Sequence, residues 1–256
     1  MWRLLRIGVL LTVLTVVALT TWNADVRVTH WKSSLRVMVY PVNATGDPAT
    51  DRYIDGLDAA VFRPVAEFMQ REAQRYGLPL SEPVTIDLAS RVRAVPPAAP
   101  GQAGVLDAIL WSLRFRFWAW RNDHHPGPRP HVRLFLVYSP LVPGAVLPHS
   151  VGLRKGMLGL VQVFASRSMQ AENNVVIAHE LLHTFGASDK YDLSSNQPVF
   201  PEGYADPAAN PVHPQRQAEL MAGRIPLSAS RAEAPSGLSE VVIGPATARE
   251  IHWLKQ

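Results

Sequence analysis

The chain has 256 residues, enough to bury one substantial core, and carries 25 basic against 21 acidic residues for a formal net charge of +4. Arg3 and Arg6 belong to an N-terminal apolar segment; without them the balance is 23 against 21 and the other basic residues are scattered, which gives no footing for a nucleic-acid partner. Cysteine is absent, which rules out disulfides, thiolate-held metal and thiol nucleophiles and leaves any metal ion to histidine and carboxylate.

Residues Ile7 to Leu19 form an uncharged run that Thr20, Thr21 and Trp22 extend toward an interfacial aromatic. The following TTWNAD offers no small-x-small cleavage site, so residues 1–23 are read as a retained signal anchor. A very short basic tail ahead of it predicts a cytoplasmic N-terminus, with the domain of residues 24–256 on the periplasmic or extracellular side.

From Leu35 the sequence LRVMVYPV alternates as a strand does, and Asn43 to Asp51 reads as a turn-rich loop. Leu57, Val61, Val65, Phe68 and Met69 recur at helical spacing, which predicts one long helix over Asp55 to Tyr76, stopped by Gly77 and Pro79. A short strand follows at Val84 to Leu88, then a surface loop rich in Pro, Ala and Gly from Pro96 to Gly104. An aromatic-rich helix, Val105 to Trp120, ends in the turn cluster Asn122 to Pro130.

Strands at His131 to Tyr138 and Met157 to Phe164 bracket a loop containing Pro140, Pro143 and Pro148. The helix Glu172 to Phe185 carries one apolar stripe through Val175, Ala178, Leu182 and Phe185 and another through Ile177 and Leu181, so it should be buried. A loop-rich stretch runs from Ala187 to about Gly244, and a last helix is expected at Ala246 to Leu254. This order of elements predicts an α/β (α+β) domain without internal repeats.

The buried helix contains His179-Glu180-Leu181-Leu182-His183. Histidines four residues apart share a helical face one turn apart, so their ring nitrogens can converge on one ion, and Zn2+ suits them. Glu180 lies about 100 degrees around the helix, out of line for the same coordination point but within reach of a water there. The competing reading is a buried histidine pair bonded to main-chain carbonyls, but burying two rings and a carboxylate on so apolar a helix is costly without a partner for each. Gly186 is placed to end the helix in a left-handed turn, after which Asp189 can come back toward the ion. Asp192 competes for that place, because the path of the loop decides which carboxylate turns inward.

The run HELLHTFGASD resembles the metzincin clan of zinc peptidases, whose pattern is H-E-x-x-H-x-x-G-x-x-H or, less commonly, D. The resemblance implies His179, His183 and Asp189 as metal ligands and Glu180 as general base. It also implies a twisted mixed sheet carrying two long helices, with a loop-rich C-terminal part closing a cleft over the metal. Met221, in AELMAGRIP, matches the methionine turn expected beneath the metal, although Gly223 and Arg224 stand where an aromatic usually follows. Tyr191 and Tyr204 are candidates to replace that aromatic, although a structural role in the loop is the reading each fits better. The strand Met157 to Phe164 takes the place of the edge strand that holds an extended peptide substrate.

Glu202 has about the separation of a thermolysin-like third ligand, but Pro201 and Gly203 disfavour a helix there. His213, between prolines, and His124 and His125, in a turn cluster, read as solvated. The polar run Asp189 to Asn196 lacks EF-hand spacing for calcium. The expected activity is zinc-dependent peptide-bond hydrolysis on a peptide or protein substrate, by a domain tethered to the membrane through its N-terminal segment. The alternatives are a zinc amidase or deacylase acting on a small envelope substrate, and a non-enzymatic protein braced by structural zinc.

Overall fold

The computed structural model describes residues 30–100 and 104–255, together with residues 2, 6–8 and 15. Strand β1 (Leu35–Asn43) is buried along almost its whole length, which fits a strand covered on both faces. It pairs in parallel with β2 (Val84–Leu88) and with β3 (Val132–Ser139). A three-residue strand, β4 (Val151–Leu153), runs antiparallel to β5 (Leu158–Phe164), which in turn pairs in parallel with β3. The five-stranded mixed sheet therefore has the order β2-β1-β3-β5-β4, and the chain is a mixed α/β domain. The strand expected at the edge, Met157 to Phe164, is interior as β5. The edge is β4, whose three residues are too few to show a period and which the prolines around it disguise as loop.

The helix expected over Asp55 to Tyr76 starts later, as α2 (Arg63–Arg75) after a 3-10 turn at Ala59–Phe62, and a separate helix, α1 (Pro48–Asp55), precedes it. Local chemistry accounts for the difference. The Asp47 side chain accepts from the Thr50 N–H at 2.8 Å and starts a helix inside the segment expected to be loop, and Gly56 closes it. Asp58 then accepts from the Ala60 N–H at 2.6 Å, and Pro64, with no N–H to give, fits only the first turn of a new helix.

Three long helices cover the sheet. On one face α3 (Val105–Asn122) packs Trp111, Phe115 and Ala119 against Met38, Tyr40, Phe135 and Leu160. On the other, α2 and α4 (Gln170–Phe185) bury Val65, Phe68, Ile177 and Leu181 against Val37, Val39, Leu136 and Val161. Each of these apolar side chains contributes about 1.5–3 kcal/mol on burial, so the sheet fixes α4 firmly.

Beyond α4 regular structure is sparse: β6 (Ala218–Glu219), β7 (Ile225–Pro226), β8 (Ala232–Glu233), β9 (Val241–Val242) and α5 (Pro245–Glu250). The last helix is shorter than the expected Ala246 to Leu254, because His252 adopts a left-handed φ of 60°. Trp31 donates from its indole to the Ile251 carbonyl at 2.7 Å and meets Phe185 and Trp253 edge-on, tying the start of the domain to its end. Among the described residues no helix is long and apolar enough to cross a membrane; the expected anchor, residues 1–23, lies outside them except at 2, 6–8 and 15.

Candidate metal centre

Helix α4 ends at Gly186, whose φ of 108° is the left-handed conformation the sequence calls for at that position. Its N–H donates to the His183 carbonyl at 3.1 Å and the Ala187 N–H donates to the Leu182 carbonyl at 3.0 Å, so the chain reverses at once. That reversal brings the Ala187 carbonyl under His183 and Asp189 over both rings.

His179 and His183 face one another with their Nε2 atoms 3.0 Å apart, and the Asp189 Oδ1 lies 3.1 Å from each. The opposite nitrogens are both committed: Nδ1 of His179 lies 3.0 Å from the Leu220 carbonyl and Nδ1 of His183 lies 2.8 Å from the Ala187 carbonyl. A carbonyl only accepts, so each Nδ1 carries a hydrogen and each Nε2 is turned inward, where it takes up either a proton or a metal ion. Two lone pairs and a carboxylate oxygen converging on one point repel unless a cation lies among them.

The same demand for positive charge is visible in the ionisation of the groups. Burial opposes charge on His179, but Asp189, the Glu180 charge and the Leu220 carbonyl outweigh it and push its pKa up to about 9. Burial likewise works against the Asp189 carboxylate, yet the two imidazoles hold it well below the usual carboxylate range. Ligands on bonds of about 2.0–2.1 Å around a tetrahedral zinc lie about 3.3 Å apart, within a few tenths of an ångström of the observed triangle. The donor set fits zinc, with the outer ring nitrogens braced by main-chain oxygens as metal-bound histidines usually are.

Glu180 is buried, and its Oε2 has no hydrogen-bond partner. Its carboxylate and the two imidazoles offer ligand atoms all within 4.8 Å of one another. Burial raises its pKa, against the pull of both imidazoles and of the Gly152 N–H. It opens on a cleft of about 310 Å³ lined by His179, Glu180, His149, Gln162, Tyr191 and Gly223, among others.

Asp192, the rival to Asp189, is turned into its own loop, accepting from the N–H and hydroxyl of both Ser194 and Ser195. Tyr191 lines the cleft, and burial together with Asp189 and Glu180 raises its phenol above the ordinary value, which keeps it a donor. Tyr204 is bonded through its hydroxyl to Nε2 of His213 at 3.0 Å, so His213 is half-buried and paired, contrary to the solvated position expected. Glu202 is exposed in a turn and His124 is exposed.

Met221 is fully buried, and its neighbours brace the site: Leu220 holds His179, while the Met221 carbonyl accepts from the Lys190 N–H at 2.9 Å. Sequence reasoning did not single out His149, Gly152 or Glu219. The first two carry no signal, since a lone histidine and a lone glycine in a proline-rich loop predict nothing. Glu219 had one, a charged residue beside the methionine turn, whose fully buried carboxylate accepts from the Met221, Ala222 and Gly244 N–H groups and the Thr247 hydroxyl.

Comparison with known proteins finds no family model and no curated protein that matches the chain.

Proposed function

We propose that this protein is a zinc-dependent peptidase of metzincin type. The carrying observation is the triangle of His179 Nε2, His183 Nε2 and Asp189 Oδ1, each edge 3.0–3.1 Å, beside a buried Glu180 oxygen without a partner. Bound zinc supplies Lewis acidity toward a carbonyl and lowers the pKa of water toward about 7. Glu180 Oε2 takes the proton of the attacking water, which its burial and raised pKa suit it to keep, and then passes that proton to the leaving amine. Tyr191, held protonated in the cleft, offers a hydroxyl to the developing negative oxygen.

The edge strand β4 supports a peptide substrate over a small acyl compound. It lies against α4 at the cleft and has one ladder edge unpaired in the sheet, where an extended chain adds by main-chain hydrogen bonds. The Met221 turn and the loop-rich C-terminal part support the metzincin reading, and the apolar run at Ile7 to Leu19 supports a single-pass tether with the domain outside the cytoplasm.

The test is metal analysis of the purified full chain with a peptide-library digest, with and without chelator. Glu180→Gln should keep zinc and lose hydrolysis by a factor of about a thousand or more, and His183→Ala should lose the metal. Full hydrolysis in the first variant or unchanged zinc content in the second would overturn the proposal.

A further inference from the structure

Helix α3 presents to solvent what a folded domain ordinarily hides. Leu106, Ile109, Leu110, Leu113, Phe117 and Trp120 are between 51% and 75% exposed. At about 100 degrees per residue these six fall within an arc of about 100 degrees, centred opposite the face on which Trp111, Phe115 and Ala119 meet the sheet. The helix is therefore apolar on two faces, and the described residues cover only one of them. Isolated exposed apolar residues need no explanation, but a contiguous row over four turns marks a surface that meets something apolar.

The borders of the row say what it meets. Arg114 and Arg121, both exposed, lie along one side, Arg116 on the other is half-buried with its guanidinium against Gly156, and Asp107 is the only acid in the helix. Leucine and isoleucine fill the first half of the row, and phenylalanine and tryptophan, which favour the headgroup boundary, fill the second. Exposed arginines beside an apolar row ending in aromatic residues match an anionic lipid surface, whose phosphates pair with the guanidinium groups while the row enters the acyl boundary. The chain also carries the uncharged run Ile7 to Leu19 behind Arg3 and Arg6.

We propose that α3 docks this domain onto an anionic bilayer surface, its six apolar side chains entering the headgroup boundary and Arg114 and Arg121 lying among the lipid phosphates. Because α3 covers the sheet face opposite α2 and α4, docking leaves the metal-site helix on the side away from the lipid. The proposal extends the tether reading but does not need it, and it is independent of catalysis.

The absence of cysteine makes the test direct: a single introduced thiol is the only one in the molecule. Full-length Leu113→Cys, Glu67→Cys and Thr20→Cys, each carrying a polarity-sensitive fluorophore, are reconstituted in vesicles of three parts phosphatidylcholine to one of phosphatidylglycerol. Glu67 is exposed on α2, across the sheet, and Thr20 reports the tether separately. The Leu113→Cys label should shift to the blue, lose most of its quenching by iodide and become quenched by doxyl-labelled lipid, while the Glu67→Cys label stays aqueous. A Leu113→Cys label as open to iodide as the Glu67→Cys label overturns the proposal, whatever the Thr20→Cys label shows. A label shielded from both quenchers also overturns it, since another polypeptide surface would then cover the row.

Discussion

The His179 ring, in the helix, is held by the Leu220 carbonyl, 41 residues further along the chain, through an Nδ1 hydrogen bond of 3.0 Å. Leu220 is held in turn by its neighbour Glu219, whose buried carboxylate collects four donors from the Met221 turn and from the start of α5. Glu219→Ala strands those donors and should cost about 3 kcal/mol or more in stability, read as a lower urea midpoint. It should also weaken zinc retention although no ligand is altered. A midpoint unchanged in Glu219→Ala would remove this residue from the support of the site.

Asp189 faces both imidazoles, whereas Asp192 is bonded within its own loop. Asp189→Asn should reduce zinc affinity by roughly 100-fold, because a neutral amide replaces the carboxylate facing both rings. Asp192→Asn should leave zinc affinity unchanged, since that side chain is bonded only to Ser194 and Ser195. Competition against a fluorescent chelator measures both, and a reversed order of the two losses would reassign the ligand.

Gly152 is where the edge strand touches the helix. A Cβ there would lie 2.6 Å from the Glu180 carbonyl oxygen and closer still to the His183 Cβ, so Gly152→Ala must push β4 off α4. The expected result is about 2 kcal/mol of destabilisation and a loss of activity larger than the loss of zinc, since β4 borders the cleft. Thermal melts and metal content measured on the same preparation check it. Equal melting temperatures for variant and parent would show that the strand has room to spare.

Lys190 is almost wholly buried and meets Glu250 at 2.7 Å, and Glu250 also accepts from the Ser188 N–H and hydroxyl. This pair clamps the residues on either side of Asp189 to α5. Burial opposes the Glu250 charge, but Lys190 and Ser188 outweigh it and depress the pKa. A depressed folded pKa stabilises the fold above the ordinary carboxylate value and ceases to do so as pH falls through the folded value. Glu250→Gln should therefore cost roughly 2 kcal/mol at pH 7, less than a fully buried pair because Glu250 is about a third exposed. The gap between parent and variant should hold down to about pH 5 and close in stronger acid. Denaturant titrations across pH measure it, and a gap that widens in acid would contradict the assignment.

Much of the metal centre was legible in the sequence, because its strongest terms are local. The spacing of His179 and His183 along one helix, the glycine that ends that helix and the carboxylate that follows are covalently close, so helix geometry alone restricts where they can go. The strands β1, β2, β3 and β5 were legible for the same reason, as was the buried helix α4. Tertiary structure decided what depended on contacts far apart in the chain. It made β4 the edge strand, turned Asp189 and not Asp192 toward the two imidazoles through the path of a loop pinned by Glu250 and Met221, and paired His213 with Tyr204. It also delayed the expected helix to Arg63 and set a separate one before Gly56, and among the described residues it left the outer face of the aromatic-rich helix α3 uncovered. Periodicity reports that a face is hydrophobic; only packing determines whether anything covers it.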